Sequence, residues 1–375
     1  MVDLKGQYKR IEKEVNSSIM DVINNTSFIN GPSVHSFKDD LRKYLNVKHV
    51  ITCANGTDAL QICLMALNLK SGDEVITTDF TFASTVEVIK LLGLTPVLVD
   101  IDPSSFNIDV NKIKGLITKK TKVIMPVHLF GRVANMNEIL DIADEYNLKI
   151  IEDNAQAMGA SYMMKNGNIV KAGTMGQMSA TSFFPSKNLG AYGDGGAIFT
   201  NDDNLANIIS GIANHGMYER YMHDLVGINS RLDSIQAAIL GVKLKHLDKY
   251  NDSRRESAKL YSKLLSDNSK VILPLFPLNE FSHVFHQFTL RIKKNMRDDL
   301  VKYLNKNNIP CGIYYPIPLH SQKAYSSPRN NNENFKITNQ FSKEVISLPM
   351  HSELSKDQIE YITNHINKFF HEFNK

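Results

Sequence analysis

Lys187 stands in the run Thr181-Ser182-Phe183-Phe184-Pro185-Ser186-Lys187-Asn188-Leu189-Gly190, followed by Gly193-Asp194-Gly195-Gly196. A lysine among aromatics, hydroxyls and glycines, if partly desolvated, has its pKa lowered and offers a neutral amine as nucleophile. The competing reading is a surface lysine whose stem lies along the protein with its ammonium in water. A second run, Ile150-Ile151-Glu152-Asp153-Asn154-Ala155-Gln156, places an acid at the end of an apolar strand. Such a carboxylate either holds a protonated ligand nitrogen or caps the next helix. A third, Ala54-Asn55-Gly56-Thr57-Asp58-Ala59-Leu60, lies between a strand and a helix. Gly56 lets the backbone approach a ligand, and the free N–H groups of a helix start favour a phosphate. The alternative there is a plain N-cap on a tight turn.

These segments need a scaffold that brings them to one edge. Short β-branched runs alternate with helical patterns from about residue 48 to 200. Strands are predicted at 48–53, 74–77, 95–99, 122–127 and 149–152. Gly56 to Leu67 reads as a helix with Leu60, Cys63, Leu64 and Leu67 on one face, and Met136 to Tyr146 as another. This alternation predicts an α/β fold with a large, mostly parallel sheet covered on both faces. Ligands of such sheets sit outside the carboxyl ends of the strands, where the three segments fall. The pattern changes near residue 250. Helices are predicted at 254–265, 296–305 and 356–370 and a strand at 285–292, with the polar run 330–334 as a surface loop. The expected division is a large domain over 1–249 that includes an N-terminal arm, and a smaller C-terminal α/β domain over 250–375. A further helix is expected over 232–247, capped by Asn229 or Ser230.

Composition narrows the function classes. Apolar residues make up 42% of the 375, enough for a large core. Forty-three basic and 39 acidic residues give a net charge of +4, too balanced to argue for nucleic acid or a membrane surface. The tight basic cluster Lys119, Lys120 and Lys122 reads as a solvated loop. Cys53, Cys63 and Cys311 are odd in number and form no C-x-x-C, which argues against a disulfide framework or zinc site. No apolar run approaches a membrane span, and the polar start carries no secretory pattern. The expectation is a cytoplasmic protein.

The order of the three segments ties them together. A phosphate-binding turn after the first strand, an aspartate after a later one and a lysine 34 residues beyond it match the layout of fold-type I enzymes of pyridoxal 5'-phosphate (PLP). Along nearly its full length the chain resembles the DegT/DnrJ/StrS nucleotide-sugar aminotransferases. The resemblance is carried by Cys53 to Leu60, Glu152 to Gln156, Ser182 to Lys187 and Gly227-Ile228-Asn229-Ser230-Arg231-Leu232-Asp233. Tyr315-Pro316-Ile317-Pro318-Leu319-His320 and Ser347-Leu348-Pro349-Met350-His351 add to it.

The resemblance implies roles. Lys187 would bind the cofactor covalently and later shuttle the proton. Asp153 would pair with the pyridine nitrogen, and Gln156 would meet the phenolic oxygen. Gly56, Thr57 and Ser182 would hold the phosphate, and Phe82 would stack on the ring unless it is a core phenylalanine. Asn229 and Arg231 would reach across a homodimer interface to cofactor phosphate and substrate. Tyr315 and His320 would lie on the substrate side. His128 and His215 sit in family-like contexts but read as structural. Glutamate would be the donor, in ping-pong kinetics, and the acceptor a keto-sugar nucleotide, for surface polysaccharide or deoxyaminosugar synthesis. The run 223–233 is most similar to relatives that aminate C3, of UDP-2-acetamido-2-deoxy-3-oxo-glucuronate or of dTDP-3-oxo-6-deoxyhexoses. One departure is Tyr314, where the glucuronate enzymes have His. The alternatives are C4 amination of a UDP- or GDP-4-keto-6-deoxyhexose, and a non-catalytic regulatory protein on the same fold. A dehydratase of this family would have His in place of Lys187. A nicotinamide enzyme would need G-x-G-x-x-G where Cys53-Ala54-Asn55-Gly56 stands.

Overall fold

The computed structural model describes residues 1–293, 295–327 and 332–372. A seven-stranded sheet runs in the order His49–Cys53, Gly196–Thr200, Met178–Ser182, Lys149–Asp153, Thr121–Met125, Glu74–Thr78, Thr95–Val99. Gly196–Thr200 is antiparallel to both neighbours. The other neighbouring pairs are parallel. Six strands therefore point their carboxyl ends at one edge. Successive residues of a strand serve opposite faces. Val75, Val123, Ile151 and Ile198 pack with helices Gly56–Ala66 and Asp203–Ala213. Ile76, Ile124 and Ile150 pack with Met136–Tyr146. Burial on both sides explains why the centres of these strands are apolar and β-branched on both faces. This is the expected α/β fold, a large, mostly parallel sheet covered on both faces.

Two helices precede the first strand, Leu4–Asn24 and Pro32–Leu45, where only an arm was expected. The first is capped by the Asp3 side chain, which accepts the Gly6 N–H at 2.7 Å. The helix predicted over 232–247 is Ser234–Leu244, and a second helix, Leu247–Leu265, follows directly. The N-cap of Ser234–Leu244 is Asp233, not Asn229 or Ser230. The C-terminal region forms a three-stranded antiparallel sheet of Val271–Ile272, Phe288–Ile292 and Val345–Leu348. Helices Leu247–Leu265, Arg297–Lys306 and Lys356–Glu372 share a core with it that includes Tyr261, Phe288, Leu300 and Phe369. Leu247 packs in the core of the large sheet, whereas Ala258, Tyr261 and Leu265 pack in the C-terminal one, so a single helix runs from one core to the other. Of the predicted loop 330–334, residues 330 and 331 lie outside the described residues, and Asn332–Phe335 is a 3-10 turn. No helix among the described residues is long and apolar enough to cross a membrane.

Candidate active site

Helix Gly56–Ala66 begins three residues after strand His49–Cys53, and Asn55 caps it by accepting the Asp58 N–H at 2.8 Å. The Thr57 and Ser84 hydroxyls lie 2.8 Å apart at this helix start. Gly56 is pressed against Ser182: a Cβ there would stand 2.7 Å from the Ser182 Cβ. Only glycine permits that approach. The first strand's turn and the end of the lysine-bearing strand are thereby joined into one wall. Its donors are hydroxyls and the unpaired N–H groups of a helix start, which suits a phosphate.

Asp153 ends its strand in full burial. Its Oδ2 accepts from Thr85 Oγ1 at 2.9 Å and its Oδ1 from the Ala155 N–H at 3.2 Å. Burial raises its pKa above the usual carboxylate value, and the hydrogen bonds and Lys187 only partly oppose this. Lys187 sits partly buried on the loop after strand Met178–Ser182. Burial pushes its pKa down to about 8, against the pull of Asp153. Its Nζ makes no hydrogen bond among the described residues. Phe82 is 59% exposed, so it is not a core residue. Its ring lies 6.5 Å from that of Tyr315. Phe82 and Thr85 sit one turn apart at the start of helix Ser84–Leu91, so the segment that fixes Asp153 also presents this aromatic. Gln156 Oε1 accepts the Phe130 N–H at 2.6 Å, and its Nε2 donates to the Tyr315 hydroxyl at 3.2 Å.

Not every expected residue joins this cluster. His320 is buried, with Nδ1 2.6 Å from Asp79 Oδ2 and Nε2 2.7 Å from Asn332 Oδ1. With both ring nitrogens engaged, it fixes the loop after Tyr315 to the end of strand Glu74–Thr78 and has no nitrogen left for a substrate. Asn229 is exposed and Arg231 half-buried. The Arg231 guanidinium makes no hydrogen bond or ion pair among the described residues. Between them Ser230 is buried, receiving the Ala54 N–H at 3.0 Å and donating to Asp58 at 2.7 Å. His128 is buried, accepts the Ala134 N–H at Nδ1 and so donates from Nε2 to Glu152 at 2.9 Å. Glu152 also takes the N–H groups of Gly173, Met175 and Gly176, which makes the pair a brace behind Asp153. His215 is exposed, at a left-handed turn. Sequence reasoning missed Thr85, Ser84 and the Asn188–His286 contact, in which Asn188 Oδ1 lies 3.2 Å from His286 Nδ1. Thr85, three residues after Phe82 at a helix start, carried a usable spacing signal. His286 carried none.

A profile of the DegT/DnrJ/EryC1/StrS aminotransferase family matches residues 9–367. The chain belongs to this family. Its members are aminotransferases that depend on PLP, and this chain is one of them. The cofactor fits the residues present. A buried carboxylate at a strand's carboxyl end has no ion-pair partner among the described residues, a lysine of lowered pKa stands near it, and a donor-lined helix start lies at the same sheet edge. The chain is 43% identical over 375 residues to a protein of Geobacillus stearothermophilus called a pleiotropic regulatory protein, covering all of this chain and 99% of that one. It is 42% identical over 361 residues to the UDP-2-acetamido-2-deoxy-3-oxo-D-glucuronate aminotransferase of Pseudomonas aeruginosa, covering 96% and 97%. The crystal structure of ntda from Bacillus subtilis with bound cofactor PMP matches with a TM-score of 0.86 at 30% identity, over 97% of this chain and 82% of that one.

Proposed function

We propose that this aminotransferase moves an amino group from glutamate to C3 of a keto-sugar carried by a nucleotide. UDP-2-acetamido-2-deoxy-3-oxo-glucuronate is the first candidate and a dTDP-3-oxo-6-deoxyhexose the second. The observation that carries this is the 42% identity, across almost the whole of both chains, to an enzyme named for a 3-oxo sugar. The name of the regulatory relative favours a second reading, a protein that senses rather than turns over. Lys187, Asp153 and Gln156 gathered at one edge favour turnover.

Gly56, Thr57 and Ser182 would hold the cofactor phosphate, Phe82 would lie on the ring, and Gln156 would meet its phenolic oxygen. Asp153 would keep the ring nitrogen protonated. When bound, the cofactor supplies the electron sink that stabilises a carbanion. Lys187 Nζ, once released, carries the proton to and from the substrate carbon, and its lowered pKa suits it to give and take one near neutral pH. Tyr315, tied to Gln156, would border the sugar. An assay of keto-sugar nucleotides with glutamate tests the reading. The expected result is a 3-amino sugar with one 2-oxoglutarate per turnover. An amine at C4, or no turnover with any keto-sugar, would overturn it.

The assembly we infer is a two-fold dimer in which Asn229 and Arg231 complete the neighbour's site. The hairpin before them exposes Tyr218, Tyr221, Met222 and Val226, the last 88% exposed. Phe28 and Ile29 are also exposed, next to Asp233 and Ser234, to which their backbone is paired. Exposed large apolar side chains near Asn229 and Arg231 suit an interface. A composite site predicts complementation. Lys187→Ala and Arg231→Ala dimers are each nearly inactive. After dissociation and random remixing, half the dimers are hybrids with one intact site, and about a quarter of wild-type activity returns. Mass spectrometry verifies the hybrids, and verified hybrids without recovery mean that Arg231 acts within its own subunit or only structurally.

A further inference from the structure

Lys243, near the end of helix Ser234–Leu244, is 1% exposed. Among the described residues no carboxylate lies within ion-pair distance of it. Its Nζ donates to the Gly190 carbonyl at 2.5 Å and stands 5.1 Å from the centre of the Tyr192 ring. Arg254 is a second buried cation whose charge disfavours that of Lys243. An ammonium stripped of water for one carbonyl and one ring is a costly way to fill space, and an apolar side chain of the same length would fill it at less cost. What the ammonium adds is a directed hold on one carbonyl.

That carbonyl belongs to the loop that carries Lys187. The loop is closed at its neck, where the Ala191 N–H reaches the Phe183 carbonyl at 2.7 Å, and the Lys187 N–H reaches the Phe184 carbonyl at 2.9 Å. A Cβ on Gly190 would collide with the Pro185 carbonyl, so the two arms of the loop are in contact. The same helix takes a second hold one heptad earlier: Gln236 Oε1 accepts the Tyr192 N–H at 2.9 Å. Residues seven apart share a helix face, so Gln236 and Lys243 grip the descending arm at two points. The tip is pinned from another side, because Asn188 Nδ2 donates to Asn251 Oδ1 at 2.7 Å and to the Val284 carbonyl at 3.0 Å.

We propose that Lys243 is a positioning residue that, through the Gly190 carbonyl, holds Lys187 Nζ in register with the reacting carbon. This rests on Lys187 being the cofactor lysine. Lys243 touches neither cofactor nor substrate, so its loss should change the rate and leave binding alone. Lys243→Met keeps length and removes the donor. The holoenzyme variant is expected to show kcat per bound cofactor lowered at least about tenfold, since small misplacements of a reacting group cost rate steeply. Both KM values should stay within about twofold. The pH midpoint of the visible absorbance of the cofactor–lysine linkage should shift, and apoenzyme should take up PLP more slowly. If Lys243→Met does not yield folded dimer, Lys243→Gln, shorter but still a donor, is measured in its place and should show a smaller loss in the same direction. Wild-type kcat and an unmoved midpoint in the folded variant overturn the proposal. So does a fall only in melting temperature and cofactor content. Lys187→Ala is run alongside: if it retains the linkage absorbance, the assignment of Lys187 itself fails, whatever Lys243 does.

Discussion

Lys187→Ala folds, dimerises and loses turnover by on the order of 10^4-fold or more, because one amine supplies both the covalent hold and the proton transfer. The visible absorbance of the cofactor–lysine linkage disappears with it, and borohydride no longer fixes label to the 183–191 segment. The wild-type apoenzyme supplies a second signature. With the Lys187 pKa pushed down to about 8, the neutral amine fraction rises with pH through that value and then saturates. Uptake of PLP should therefore accelerate up to about pH 8 and level off above it. An ordinary lysine would keep accelerating to about pH 10.4. Wild-type turnover in Lys187→Ala, or an uptake rate still climbing beyond pH 9, removes Lys187 from the role.

Asp153→Asn binds PLP but transaminates about 10^2 to 10^3-fold more slowly, the usual scale for removing a buried, preorganised electrostatic partner. The amide oxygen can still accept the Ala155 N–H, and the amide NH2 can donate to the Thr85 hydroxyl once that hydroxyl turns, so the local fold should survive. What is lost is the charge that keeps a ring nitrogen protonated. Stability gives an independent reading. Burial raises the folded-state pKa of Asp153, so the unfolded chain releases this proton more readily than the folded one. The apoenzyme is then favoured below the unfolded pKa of about 3.9, and that advantage is lost as pH rises through the raised folded value. Above this window a cationic ring should offset the buried charge. PLP should raise the melting temperature of wild-type apoenzyme at neutral pH more than that of Asp153→Asn. Equal increments and near-normal turnover would place Asp153 outside the mechanism.

Five strands of the large sheet were legible because burial on both faces gives them β-branched, largely apolar centres, as in Val75-Ile76-Thr77, whereas Met178–Ser182 and Gly196–Thr200 carry small and hydroxyl residues and were not read as strands. The start of helix Gly56–Ala66 was legible from Asn55, whose capping bond is local, whereas what demands Gly56 is Ser182 on a distant strand. The N-terminal helix was missed because its buried stripe of Gln7, Ile11, Val15 and Val22 is narrow within a polar run. His320 was assigned to the substrate because a motif does not say which way a ring faces; Asp79, which holds it, lies 241 positions away. Nothing in the sequence marks Lys243, since its burial comes from a loop some fifty residues earlier. Local chemistry is written in short runs, whereas partners brought together by the sheet are not.

The antiparallel strand Gly196–Thr200 has a consequence for how the molecule comes into being. It lies between His49–Cys53 and Met178–Ser182, so the turn at Gly56 and the serine it abuts have no shared frame until that strand is in place. Pairing His49 with Thr200 closes a very long loop, and contacts of such separation form late and slowly. The phosphate end of the pocket therefore cannot exist before Thr200 has been made, and it is the last part of the large sheet to be completed. Cofactor can act on a nearly finished protein, sealing the final strand against reopening, but it cannot template the earlier stages. Refolding yields should then respond to PLP added late as well as to PLP present from the start.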